Sequence, residues 1–120
     1  MKRALTLALA LLLAIAIPAE TDESNNALSV DSTGVAVTFS TAQRSLFVKN
    51  DGAQDVSVRA YDGTETVAIH THAASGSITI KPSEWATIPW NGGQDTGIGF
   101  IGASFRCAAA QSTTVRWFAK

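Results

Sequence analysis

An all-β domain, an antiparallel β-sandwich of the immunoglobulin-like or jelly-roll-like kind, is what this 120-residue sequence predicts. Three observations predict it. Alternation of period two recurs from Val35 to Ala119, with β-branched and aromatic residues enriched. Turn-forming Gly, Asn, Asp and Ser interrupt it about every ten residues, the spacing of short strands in a sandwich or barrel. No segment carries a sustained apolar stripe of helical period.

The chain is long enough for one domain. It is 46% hydrophobic and only 16% charged, against about 25% charged in an ordinary globular chain. A core is affordable, and a net charge of −1 gives nothing that would draw nucleic acid.

Residues 1–19, MKRALTLALALLLAIAIPA, place two bases before an apolar run and small residues after it. That is the layout of a secretory signal. The run is shorter than the roughly 20 residues a spanning helix needs, so a retained anchor is the second reading. Membrane contact is expected only through this segment, if it is kept. Residues 20–31 hold Glu20, Asp22, Glu23 and Asp31 and no base, and read as an acidic polar linker. The sandwich domain is placed at 32–120.

Within it the alternation predicts about eight strands: Val35–Phe39, Ser45–Lys49, Val56–Tyr61, Thr66–Thr71, Ser77–Lys81, Trp85–Pro89, Ile98–Phe105 and Thr114–Ala119. Asn50-Asp51-Gly52 and Asp62-Gly63 supply turn positions that tolerate positive φ, the first reading as a hairpin bend. The alanine-rich stretch Ala103–Gln111 has room for one helical turn. NGGQDTGIG, residues 91–99, reads as a long glycine-rich loop.

Alternate side chains stand on opposite faces of a strand. The inward set is then Leu46, Val48, Val56, Val58, Ala60, Val67, Ile69, Ile78, Ile80, Trp85, Ile98, Phe100, Val115 and Trp117. The outward set is Phe47, Lys49, Arg59, Tyr61, His70, His72, Trp90, Arg116 and Phe118. Solvent alone does not call for that many rings, and aromatic residues beside Lys and Arg suit a partner surface. Phe47, Arg59, Tyr61, Trp90, Arg116 and Phe118 are its candidate partner-binding residues.

Catalytic signals are weak. The single cysteine, Cys107, forms no internal disulfide and reads as a small buried hydrophobe. His70-Thr71-His72 puts two imidazoles on one strand face, but a metal site needs a third ligand. The glycine-rich loop lacks the lysine of a phosphate loop, and no G-x-S-x-G elbow occurs. No enzymatic activity, cofactor or metal is expected.

Arg44–Arg59 (RSLFVKNDGAQDVSVR), Ser77–Ile88 (SITIKPSEWATI) and Ala110–Ala119 (AQSTTVRWFA) together span most of Gly34–Lys120. In this pattern the chain resembles small β-sandwich structural proteins of tailed phages and prophages. The resemblance implies a non-catalytic virion component, decorating a capsid or associated with a tail. Its partners would be copies of itself or a neighbouring coat or tail protein. The leader departs from that pattern. It leaves a second expectation open: an exported sandwich, secreted or periplasmic after signal cleavage, that binds a carbohydrate or cell-surface ligand.

Overall fold

A computed structural model describes residues 23–91 and 99–120; the leader, residues 20–22 of the expected linker and most of the 91–99 loop, with Ile98, lie outside the described residues. The described chain is all strand and turn. Its strands are β1 (Glu23–Asp31), β2 (Val35–Gln43), β3 (Ser45–Asn50), β4 (Val56–Asp62), β5 (Ile78–Ile80), β6 (Trp85–Pro89), β7 (Phe100–Arg106) and β8 (Ser112–Ala119). They form two antiparallel four-stranded sheets, β1-β8-β3-β6 and β2-β7-β4-β5.

The pairing has a simple rule. β1 pairs with β8, β2 with β7, β3 with β6 and β4 with β5. The chain is one long hairpin, doubled back on itself and rolled up. Contacts of β3 with β8 and of β4 with β7 then complete the sheets. β3 and β4 therefore belong to different sheets, and Asn50-Asp51-Gly52 begins a crossover instead of a hairpin. Asn50 builds that crossover. Its Nδ2 donates to the carbonyls of Gln54 (2.6 Å) and Ile80 (3.0 Å), and its Oδ1 accepts from Gly52 N–H (3.1 Å) and the Thr113 hydroxyl (2.7 Å). All the polar capacity of this buried amide is used, which is what makes its burial tolerable.

The core lies between the sheets. Leu46, Val48, Val115 and Trp117 from the first meet Phe39, Val56, Val58 and Phe105 from the second. The Phe39 and Trp117 rings are 5.4 Å apart at 40°, inside the range where aromatic pairs attract beyond area burial. Cys107 is buried as expected; its Sγ donates to Val30 O (3.5 Å), and burial, with Asp31 nearby, pushes its thiol up.

Four further expectations change. Residues 23–31 are the strand β1, where a linker was expected: Leu28 and Val30 turn inward, and a bulge between Asn25 and Leu28 interrupts the strand at the sheet edge. Thr66–Thr71 is not a strand; it belongs to the 63–77 segment, which crosses the outer face of the second sheet. The 103–111 stretch stays in β7 to Arg106 and then turns, with Ala110 at φ 62° and no helical turn. Finally, Trp85 (68% exposed), Ile69 (45%) and Ile78 (37%) are not core residues. In β6 the inward positions are Ala86 and Ile88, so Trp85 points outward. Ile78 keeps its inward register opposite Val58, but three-residue β5 is an edge strand that leaves it uncovered.

Candidate functional site

The two outer faces differ sharply. That of the second sheet is closed by the protein itself. Opposite Tyr61, Gly102 has no side chain, and a Cβ there would come 2.7 Å from Val67 Cγ2, so the missing atom makes room for the crossing segment. The Tyr61 hydroxyl donates to Ala68 O, Arg106 Nη1 donates to His70 O (3.2 Å), and the Arg59 guanidinium pairs with Glu65 at 2.8 Å.

His70 is the peg of this closure. Its Nε2 lies 2.8 Å from Ser57 Oγ and its Nδ1 is bonded to Ser104 Oγ, which is 3.2 Å from the Tyr61 hydroxyl. Counting donors sets one consistent proton order. Ala73 N–H donates to Ser57, Ser57 to Nε2, Nδ1–H to Ser104, Ser104 to Tyr61, and Tyr61 to Ala68 O. This order uses a neutral imidazole. Burial first, then the charges of Arg59, Arg106 and His72, push His70 down to about 4, in keeping with it. A serine and a histidine at this distance have the spacing of a nucleophile and its base. Ser57 and Ser104, however, are 0% exposed, so the pair works as a latch. Both ring nitrogens of His70 are engaged by serines, and no group of three or more metal-ligating side chains occurs among the described residues.

Two expected partner residues are thereby spent internally. Tyr61 is only 5% exposed, a correction to its place on an open face, because the 63–77 segment lies over it. Arg59 sits over the Tyr61 ring at 4.9 Å while it holds Glu65. Trp90, just past β6, packs against the core with Arg44 Cζ 5.0 Å from its ring centre. It also lines a cleft of about 340 Å³ between the β5 and β6 edges, with Val58, Ile78, Ile88 and Phe100 as apolar walls.

The outer face of the first sheet is open. Cross-strand partners share a face, so the register sets out two rows. Trp85, Lys49 and Arg116 form one; Thr87, Phe47, Phe118 and Ser24 form the other. Phe47 and Phe118 are 6.0 Å apart at 50°, and Trp85 stands out beside them. Asp51, in the crossover after β3, takes both Arg116 Nε and Nη2 and lies 3.8 Å from Lys49 Nζ. The Arg116 hydrogen bond holds the Asp51 carboxyl below its usual range. Arg116 is thus held by Asp51, and the face is a surface of rings and aliphatic stems with a small positive excess.

No family model and no curated protein matches this chain. Its chemistry must be read from the surface alone. Phe47, Arg116 and Phe118 come together on the open face as expected; Arg59, Tyr61 and Trp90 do not join them. Trp85, expected inward, is the residue that joins them instead. Its signal was the WATIP alternation, in which Ile88 and Trp85 must face opposite ways.

Proposed function

We propose that this protein is a non-catalytic structural or assembly protein, a virion component that decorates a capsid or associates with a tail and works by protein–protein contact. One observation carries the reading: the chain seals one outer face with its own 63–77 segment and leaves the other bare, with Phe47, Phe118 and Trp85 on it. Burying such rings against a partner supplies most of the energy of a contact, and arginine and aromatic residues favour such sites.

The rolled-hairpin pairing supports it further. The strand order is that of a jelly roll, an architecture shared by viral capsid domains, lectins and cupins. That is an analogy of fold, and the function rests on the face. The partner is a copy of the chain or a neighbouring coat or tail protein.

Light scattering of the full chain over a wide concentration range tests the contact. Association, with itself or with purified particles, that a Phe47→Ser, Phe118→Ser double variant weakens is the expected result; a strict monomer that also leaves purified particles free of its peptides sinks the reading. The exposed Trp85 ring favours a second reading, an exported module that stacks a sugar on that face. Quenching or enhancement of tryptophan fluorescence by oligosaccharides, lost in Trp85→Ser, would select it.

A further inference from the structure

Each sheet has two edges, and three of the four carry features that hinder strand addition. The β1 edge is bulged between Asn25 and Leu28 and carries Glu23 and Asp31 at its ends. The β2 edge loses register between Thr38 and Gln43, and there the Glu23 carboxylate accepts the N–H groups of Ser40 (3.0 Å) and Thr41 (3.4 Å). The β5 edge is three residues long and runs into Lys81-Pro82. Bulges, charges, short length and a capped row of donors are the usual means of preventing strand addition.

The β6 edge has little of this. Trp85–Pro89 carries no charge and pairs with β3 over five successive positions without a shift. Hydrogen bonds from Asn50 N–H to Glu84 O and from Trp90 N–H to Arg44 O, both 2.9 Å, fix which peptide groups face β3. By the alternation of an antiparallel ladder, those of residues 84, 86, 88 and 90 turn toward β3, and those of Trp85, Thr87 and Pro89 turn outward. Among the described residues no strand pairs with them.

We propose that this edge joins a second copy of the chain, β6 against β6 about a two-fold axis through Thr87. This deepens the assembly reading and rests on it for the kind of partner. The strand is self-complementary in that register. Thr87 N–H meets Thr87 C=O of the second copy in both directions, and each Trp85 N–H meets the opposing Pro89 C=O. Pro89 has no N–H to lose, and as an edge proline it costs its own sheet nothing. Trp85 and Pro89 lie on the same face, so each exposed indole covers the proline of the other copy. Centring the axis elsewhere leaves part of the strand overhanging, and Ser83, at φ 67°, is not extended and cannot prolong the ladder. An isologous contact of this kind closes at a dimer and runs the first sheets of two copies into one, doubling the length of the open aromatic face.

The test uses the full chain and two variants. Thr87→Pro removes the outward N–H without touching the β3 ladder. The expected result is a concentration-dependent dimer in the parent, and a monomer in Thr87→Pro with an unchanged circular dichroism spectrum. Thr87→Cys is expected to give a disulfide-linked dimer under mild oxidation, because hydrogen-bonded partners sit about 5.5 Å apart at Cα, whereas Ser29→Cys on the opposite edge stays monomeric. A parent that remains monomeric, or a Thr87→Pro that dimerises like the parent, overturns the edge contact. If Thr87→Pro still associates and the Phe47→Ser, Phe118→Ser variant does not, the edge is refuted while the face reading survives.

Discussion

His70 Nε2 lies 2.8 Å from Ser57 Oγ, one of the bonds that tie a fifteen-residue crossing, 63–77, to the sheet beneath it. In the proton order above the ring is neutral: Ser57 accepts Ala73 N–H and gives its own proton to the imidazole. A protonated ring would place a buried charge beside Arg59 and Arg106.

Stability should therefore fall on acidification. The folded value of about 4 lies below the ordinary 6.5, so in this window the unfolded chain takes up the proton first. The contribution of His70 is whole above pH 6.5, declines between 6.5 and 4, and stops changing below that. Its full size is about 3 kcal/mol. Urea unfolding at stepped pH checks it: His70→Gln should be less stable at pH 7 and show a shallower slope between pH 6.5 and 4.5. Equal slopes would remove the latch.

Asn50 offers a second measurement. Replacing it by Leu leaves the Thr113 hydroxyl, Gly52 N–H and the Gln54 and Ile80 carbonyls without their partner. A loss of about 3 kcal/mol is expected, because buried groups stripped of a hydrogen bond keep the cost of leaving water. Asn50→Asp should be no better: it keeps an acceptor, loses both donors and brings in a buried charge. Chemical denaturation of the two variants reads this directly, and a loss under 1 kcal/mol (on the order of a surface change) would contradict it.

Gly102 is the third. A methyl group there would stand 2.5 Å from the Val37 carbonyl oxygen and 2.7 Å from Val67 Cγ2. The carbonyl belongs to the adjacent strand and cannot yield; Val67 can. Gly102→Ala is expected to cost about 2 kcal/mol and to lift the 67–70 region off the sheet. Faster amide exchange at Ala68 and His70 than at Val58 would report the lifting; uniform protection would show that the segment does not depend on the missing side chain.

Much of the fold was legible in the sequence. Leu46, Val48, Val56 and Val58 are buried where alternation put them, because strand geometry forces neighbours to opposite sides whatever the topology. Phe47, Arg116 and Phe118 reached one open face for the same reason. Local pattern was less able to say which large residue wins a face. In WATIP the tryptophan is the bulkiest apolar group, yet Ala86 and Ile88 are the pair that packs inward.

The sequence by itself determined an all-β chain with its polar breaks and most of its inward residues, since these depend on a period of two and on turn chemistry within a few residues. Only the tertiary structure decided that β1 pairs with β8, that β3 and β4 part into different sheets, and that Val67, Ile69 and His70 lie across a sheet instead of within one. Those outcomes depend on groups far apart in the chain, such as Gly102 beneath Val67 and Ser57 and Ser104 on either side of His70. The choice of which outer face stays open follows from the same long-range contacts, and no local period encodes it.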